Sequence, residues 1–140
     1  MESNKFLPLA GRILIGAPFL MSGLGKLAAY GATVGYIASV GLPAPPLAFA
    51  GSVAVEIGGG LLLMAGLRAR LVALVLAAFS IATAVFFHHN FADQNQMIHF
   101  LKNVMLAGGL LQIAAFGAGA WSLDARETST TRSDATPRPA

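Results

Sequence analysis

Long apolar segments alternate with short polar ones along most of the chain. Four apolar runs cover about residues 6–28, 47–67, 70–88 and 97–120. Each run has about 17 to 24 residues, and at about 1.5 Å per residue a helix of that length crosses the hydrocarbon layer of a membrane. The pattern predicts an all-α fold, a four-helix transmembrane bundle that forms one domain over residues 1–124.

The segments between the runs carry their own structural signals. Residues 29–46 contain GATVGYIASV, which predicts a short interfacial helix, followed by GLPAPP, whose prolines end that helix and begin the second span. Residues 125–140 are polar, contain proline and have almost no apolar side chain to bury. We therefore expect residues 125–140 to form a disordered C-terminal tail.

The basic residues of the short connections predict the orientation. Lys5, Arg68, Arg70 and Arg126 fall on one side of the four predicted spans, whereas residues 29–46 on the other side have no charge. Lys and Arg are enriched in cytoplasmic loops. We expect both the N-terminus and the C-terminus to be cytoplasmic.

The composition supports a membrane protein and excludes several other classes. Hydrophobic residues make up 56% of the 140-residue chain, charged residues only 11%, and the mean hydropathy is +0.69. The nine basic residues form no dense patch with interleaved aromatic residues, so we expect no nucleic-acid binding despite a pI near 9.8. The chain has no cysteine, which excludes disulfides, iron–sulfur clusters and c-type haem within it.

Glycines and ionisable residues share helix faces in three of the four spans, because residues three and four positions apart lie on one face. Small residues let helices approach closely in a membrane, and a charge facing lipid costs about 2.5–3.5 kcal/mol or more. Both effects predict that these faces meet inside the bundle. The three faces are Arg12, Gly16, Phe19, Gly23 and Lys26; Ser52, Glu56, Gly59, Gly60 and Leu63; and Lys102, Met105, Gly109, Gln112 and Phe116.

Glu56 is the only acid in the apolar stretch AFAGSVAVEIGGGLLLMAGL, residues 48–67. Counted along the helix it lies about 16 Å from the cytoplasmic end, within the combined reach of its own side chain and that of Lys102 or Arg12. Lys26 lies near the outer end, where it can extend to the surface. Glu56 is therefore either ionised and paired with Lys102 or Arg12, or protonated because burial without a partner disfavours the charged form.

The outer half of the predicted bundle collects several polar side chains above Glu56: Lys26, His88, His89, His99, Lys102 and Asn103. A quinone headgroup needs hydrogen-bond donors for its carbonyl oxygens and a proton route, which these groups could supply. A simpler interpretation places the histidines at water-exposed helix ends, with Lys102 extending outward and Glu56 fixing the helix register. We favour the simpler interpretation for the three histidines.

The same histidines do not predict a metal site. His88 and His89 are adjacent, so they point apart on a helix, and HHNFADQNQMIH matches no familiar zinc spacing. His88 and His99 could in principle be axial ligands of a haem, but we expect neither haem nor a metal ion.

The motifs RILIGAPFLMSGLGKL, GLPAPP, VEIGGGLLLMAGLRARLVAL, FFHHNF and KNVMLAGGLLQIAAFGAGAWSLD resemble, in this order and spacing, the DoxX family of small four-helix membrane proteins. The resemblance extends over about residues 8–124. It implies a multi-pass protein of the bacterial inner membrane, related to a quinone-linked subunit of a thiosulfate-oxidising complex.

Three hypotheses about function follow. The first is a quinone-interacting or accessory subunit of a membrane oxidoreductase system, without a covalent cofactor and with lipid, another oxidoreductase subunit or further copies of itself as partners. The second is a structural or assembly protein without catalysis. The third is a small-solute or proton pathway lined by Glu56 and Lys102. The sequence does not decide whether the protein is an enzyme.

Overall fold

The computed structural model describes residues 5–134, with side chains described as far as residue 130. All regular secondary structure in this range is helical. The six helices are α1 (Phe6–Ala28), α2 (Tyr30–Ser39), α3 (Pro45–Ala65), α4 (Ala69–Phe87), α5 (Gln94–Phe116) and α6 (Leu123–Asp134). Four of them, α1, α3, α4 and α5, are long and apolar enough to cross a membrane. The predicted all-α fold with four spans is confirmed.

Local signals fix where the spans begin and end. Pro45 stands in the first turn of α3, where the missing N–H of a proline removes no helical hydrogen bond. Gly66, with φ 68°, ends α3 in the left-handed conformation that glycine adopts without strain. The Asp93 carboxylate accepts hydrogen bonds from the backbone N–H groups of Asn95 and Gln96, which starts α5 three residues before the predicted position. Gly117, with φ 85°, ends α5 earlier than predicted.

The segment after the last span differs from the expected disordered tail. Residues 125–134 continue α6, and the Ser122 hydroxyl accepts a hydrogen bond from the backbone N–H of Ala125 at its start. The polar composition pointed to disorder, but this cap, together with the bonds that Asp124 makes to the first turn of α4, anchors the helix. The remaining part of the predicted tail, residues 135–140, lies outside the described residues.

The spans pack in the order α1, α3, α4, α5. α1 lies along α3, α4 lies along α5, and α3 contacts α4, whereas α1 and α5 barely touch. α2 lies against α3 and α1 at the end of the bundle that we call the α2 end. The apolar core sits between the four spans and consists of Phe19, Leu63, Val72, Ala73, Leu76, Ala77, Ala107 and Leu110. The flank between α1 and α5 is therefore open.

Glycines set the distance between α1 and α3. A Cβ atom built on Gly16 would lie 2.8 Å from the carbonyl oxygen of Gly60, and one built on Gly60 would lie 2.7 Å from that of Gly16. A Cβ atom built on Gly23 of α1 would likewise lie 2.6 Å from Cγ1 of Ile57 on α3. No other residue type fits such contacts without moving the helices apart.

The two other glycines expected to pack differ from each other. A Cβ on Gly59 would lie 2.8 Å from Leu76 Cδ2 of α4, so Gly59 serves the α3–α4 contact. A Cβ on Gly109 would lie 3.6 Å from Ile15 Cδ1, an ordinary van der Waals distance. The α5 backbone therefore stays far enough from α1 for a side chain to fit between them.

The predicted inner face of α5 is wrong. Ala107 and Leu110 are buried, and Asn103 and Leu106 are half-buried, whereas the expected face lies largely outside, with Lys102, Met105, Gln112 and Phe116 exposed. The helix is rotated by about one residue, roughly 100°, from the predicted orientation. The apolar residues of α5 itself are spread over nearly all of its faces. The positions of its few polar residues were therefore a weak guide to the face that packs against α4.

Candidate functional site

A cavity of about 420 Å³ lies in the α2 half of the bundle. Most of its lining is apolar and includes Leu14 and Phe19 of α1, Phe79 and Phe87 of α4, and Leu106 of α5. Leu14, Pro18 and Ser22 line the cavity and are nevertheless exposed, because α1 and α5 do not close against each other. The cavity therefore opens sideways, toward the region that lipid tails occupy around a membrane protein.

Glu56 and Lys26 form an ion pair in the cavity wall. Lys26 Nζ lies 2.5 Å from Glu56 Oε1, and the Ser22 hydroxyl donates a second hydrogen bond, of 3.0 Å, to the same oxygen. Glu56 is only 4% exposed. The ammonium group also lies 5.8 Å from the centre of the Phe79 ring, within range of a cation–π contact.

The partner predicted for Glu56 was wrong, because neither Lys102 nor Arg12 reaches it. Counting residues from the helix ends placed Lys26 nearer the outer membrane surface than Glu56. The level of α1 relative to α3 is instead set by the glycine contacts between these two helices. A Cβ on Gly23 would lie 3.1 Å from Glu56 Cβ, so Gly23 is level with Glu56. Lys26 lies one turn further along α1, where its long side chain can fold back to the carboxylate.

The second carboxylate oxygen, Glu56 Oε2, is buried and has no hydrogen-bond partner among the described residues. Buried polar atoms are nearly always paired, so an unpaired one next to a cavity indicates that a ligand or a water molecule supplies the partner. Glu56, which lines the cavity, therefore has one carboxylate oxygen that still lacks a donor.

Five hydroxyl groups line the cavity, and four of them have already used their hydrogen atoms within the protein. These four donate to oxygens of the chain: Ser22 to Glu56 Oε1 at 3.0 Å, Ser52 to the Phe49 carbonyl at 2.8 Å, Thr33 to the Ala29 carbonyl at 2.9 Å, and Tyr36 to the Phe87 carbonyl at 3.3 Å. Only the lone pairs of these four hydroxyl oxygens remain for a ligand. The fifth, Thr83, has no hydrogen-bond partner among the described residues. Sequence reasoning missed all five as site residues, although Ser22 lies four positions before Lys26 on the same helix face.

The predicted outer polar residues separate into two groups. His88 and Asn103 line the cavity, and the His88 ring stacks on that of His99 at a centroid distance of 5.0 Å. Asn103 Nδ2 donates to the His99 carbonyl oxygen at 3.0 Å. His89 and Lys102 are exposed and do not line the cavity.

His88 lies just beyond the end of α4, where it is half-buried. Burial lowers the pKa of His88, and the nearby His99 lowers it further by charge repulsion. The described part of the chain holds no group of three or more His, Asp or Glu side chains that could bind a metal ion.

Arg12 holds the opposite end of the bundle together instead of pairing with Glu56. It is 1% exposed, and Nη1 donates to the carbonyl oxygens of Leu63 at 3.2 Å and Met64 at 2.9 Å. These carbonyls belong to the last turn of α3, where helical N–H donors run out, although the Leu63 oxygen also accepts a hydrogen bond from the backbone N–H of Gly66. Nη2 donates to the carbonyl oxygen of Trp121, so one guanidinium links α1, α3 and the segment before α6.

Asp124 caps α4 from a distant part of the chain. Its carboxylate accepts hydrogen bonds from the backbone N–H groups of Arg68 at 2.6 Å and Ala69 at 2.9 Å. The contact is therefore made to the backbone at the start of α4. Arg70 has a similar role at the end of α5, where Nη1 donates to the carbonyl oxygens of Ala114 and Ala115.

Comparison with known proteins supports the family resemblance. The DoxX family model matches residues 7–89. The inner membrane protein YqjF of Escherichia coli K12 is 38% identical over 116 residues, which cover 83% of this chain and 88% of YqjF. The inner membrane protein YphA of the same organism is 37% identical over 129 residues, which cover 89% of this chain and 92% of YphA. No solved structure matches the chain significantly.

The extent of the family match, the two relatives and the four apolar spans agree with one another. The chain is thus a multi-pass inner-membrane protein, and it belongs to the DoxX family.

Proposed function

We propose that the protein binds the headgroup of a membrane quinone in the cavity between α1 and α5, as a quinone-interacting or accessory subunit of a membrane oxidoreductase system. The observation that carries this proposal is the pair of half-buried Lys26 and buried Glu56 in the wall of a mostly apolar cavity that opens sideways. An apolar chamber with a few converging polar groups is typical of sites for small organic ligands, and about 420 Å³ lies within their usual size range.

The residues around the cavity fit both the headgroup and the isoprenoid tail of a quinone. Lys26 keeps N–H groups beyond the one directed at Glu56, and an ammonium is a strong donor to a carbonyl oxygen. Phe79 and Phe87 offer aromatic surface to a planar ring. The opening between α1 and α5 would let an isoprenoid tail remain in the lipid while the headgroup lies inside.

The expected topology gives the site a position in the membrane. With both termini cytoplasmic, the α2 end faces away from the cytoplasm, and His88 and His99 lie between the cavity and that surface. This stacked pair of imidazoles can exchange protons between a bound headgroup and water. Electrons would pass to or from another subunit.

Binding tests this proposal directly. The full chain in nanodiscs should bind a short-chain benzoquinone, measured by calorimetry, and Lys26→Met should weaken that binding at least about tenfold through the loss of a charge-assisted hydrogen bond. Lys102→Met is the matched control, because Lys102 is a cation of the same kind outside the cavity. Absence of binding to the wild-type protein, or equal losses in the two variants, would exclude the cavity as a quinone site.

A structural or assembly role is the second candidate, and the outer face of α5 favours it. α5 has the lowest hydropathy of the four spans and the smallest buried share, and Gln112 on its exposed face has no partner among the described residues. Polar groups in a span are normally covered by protein. A stoichiometric partner that crosslinks to a photoreactive residue at position 112, with no quinone bound in any preparation, would favour this role.

A further inference from the structure

We propose that the cavity selects the reduced, hydroxyl-bearing form of its ligand, a hydroquinone, over the oxidised quinone. This inference rests on the proposed function and names the form of the ligand that the site prefers. It follows from the hydrogen-bonding capacity that remains on the cavity wall after the bonds within the protein are counted.

The wall has an excess of acceptors. Glu56 Oε2 is a buried anionic acceptor without a partner among the described residues. The hydroxyl groups of Ser22, Ser52, Thr33 and Tyr36 donate to oxygens of the chain and present only lone pairs to a ligand. Turning one of these hydroxyl groups toward a ligand would break the bond it now makes.

Donors are fewer. Among the described residues, Lys26 is the one ammonium or guanidinium that lines the cavity, and its closest contact is already with Glu56. Thr83 and His88 also line the cavity, and each carries one hydrogen that it can donate. Asn103 uses one N–H for the His99 carbonyl oxygen, and its own amide oxygen is another acceptor. The wall therefore suits a ligand that donates hydrogen bonds and also accepts one from Lys26.

The two forms of a quinone differ in this property. A quinone carries two carbonyl oxygens, which only accept, so it would leave Glu56 Oε2 unpaired and face the lone pairs of the four hydroxyl groups that donate to the chain. A hydroquinone carries two O–H groups: one can donate to Glu56 Oε2, and its oxygen can accept from Lys26. Sites that hydrogen-bond a substrate hydroxyl discriminate strongly against an analogue that lacks it, because their own buried polar groups are then left unpaired.

The expected preference is about tenfold or more in Kd, since the oxidised form would leave a buried acceptor without a donor and the reduced form would supply one. For a two-electron couple, each tenfold preference for the reduced form raises the midpoint potential of the bound couple by about 30 mV. The site would therefore stabilise the reduced state of its ligand.

The experiment compares both forms in the same protein. The full chain is placed in phosphatidylcholine nanodiscs, whose choline headgroup has no O–H or N–H that competes for Glu56, and is titrated anaerobically by calorimetry with a one-isoprenoid benzoquinone and its hydroquinone. The expected result is tighter binding of the hydroquinone. Equal Kd values, or tighter binding of the quinone, would overturn this inference and leave the proposed function standing, whereas binding of neither form would overturn both.

Two variants test the role of the carboxylate. Glu56→Gln replaces the charged acceptor by an amide that also donates, so the preference for the hydroquinone should fall to about twofold or less, or reverse. Glu56→Asp keeps the charge available to Lys26 but withdraws the oxygens by one methylene, and it should reduce the preference even if Glu56→Gln does not fold. An unchanged preference in the folded variants would contradict the assignment to Glu56, and Lys102→Met should retain the wild-type ratio.

Discussion

Gly16 and Gly60 lie so close together that a Cβ atom on either would come within 2.8 Å of the carbonyl oxygen of the other. The contact brings α1 against α3 and thereby sets the level at which Gly23 lies beside Glu56. The cavity and its ion pair thus depend on a backbone contact between two residues without side chains.

Gly60→Ala should destabilise the protein by about 1–3 kcal/mol, because the added methyl group must push α1 and α3 apart. The measurement is the free energy of unfolding in detergent. Gly58→Ala is the matched control on the same helix, since a Cβ there meets nothing within 4 Å. Equal stability of the two variants would contradict the close α1–α3 contact.

Lys26 and Glu56 should show strong coupling. Lys26→Met leaves Glu56 buried without its cation, which we expect to cost about 3–5 kcal/mol, whereas the double variant Lys26→Met/Glu56→Gln should recover much of that loss. Lys102→Met serves as the control and should leave the stability nearly unchanged. Additive effects of the two single substitutions would mean that the side chains do not interact.

The same pair predicts an ionised Glu56 in the wild-type protein at pH 7. Infrared difference spectra between wild type and Glu56→Gln should contain a carboxylate band from Glu56 and no carboxylic-acid band. In Lys26→Met the carboxylic-acid band should appear, because burial without a cation disfavours the charged form. A carboxylic-acid band already present in the wild type would disagree with the pairing.

Arg12→Ala should lower the free energy of unfolding by about 3 kcal/mol or more, because it removes charge-assisted hydrogen bonds to three carbonyl groups. Arg12→Lys should restore only part of the loss, since a single ammonium lacks the planar fork of a guanidinium. Arg126→Ala is the control, an exposed arginine at the same end of the bundle. A small effect of Arg12→Ala would show that these bonds do not hold the helices together.

Acid should destabilise the packing of half-buried His88 in the folded protein. Burial and His99 lower the pKa of His88 in the folded state, so the unfolded state takes up the proton first, near the ordinary value of about 6.5. Stability contributed by neutral His88 is thus complete above pH 6.5 and is lost as the pH falls toward the lowered folded value. Hydrogen exchange of residues 84–92 should accelerate between pH 7 and 5, and less so in His88→Phe; His89→Phe should behave like wild type.

The sequence predicted much of the fold because lipid imposes simple rules. Length and hydropathy located all four spans, and Arg12, Gly16, Gly23 and Glu56 all lie on the buried faces assigned to them. For α5 the rule that charged residues face the bundle interior failed. Lys102 was expected inside because charges avoid lipid, but it lies on the exposed face. A polar residue near the end of a span can reach water along its own stem, so it does not define the inner face.

The candidate site was harder to predict than the spans. Glu56 was identified as unusual from its apolar surroundings alone, but its partner depended on the relative level of α1 and α3, which periodicity does not contain. The hydroxyl groups of the cavity, such as Ser52 and Tyr36, look like ordinary helix residues in the sequence. Their importance comes from where their hydrogen bonds go, and only three-dimensional contacts reveal that.

The Asp124 carboxylate that caps α4 belongs to a part of the chain made 55 residues later than Ala69. During synthesis, α4 must therefore enter the membrane with the start of its backbone uncapped, and it stays so until α5 has been threaded and the following segment emerges on the same side. The Arg12 contact with Trp121 also waits for that moment. Completion of the bundle is thus coupled to the correct insertion of α5. A chain in which α5 fails to cross the membrane lacks both the Asp124 cap on α4 and the Arg12–Trp121 hydrogen bond.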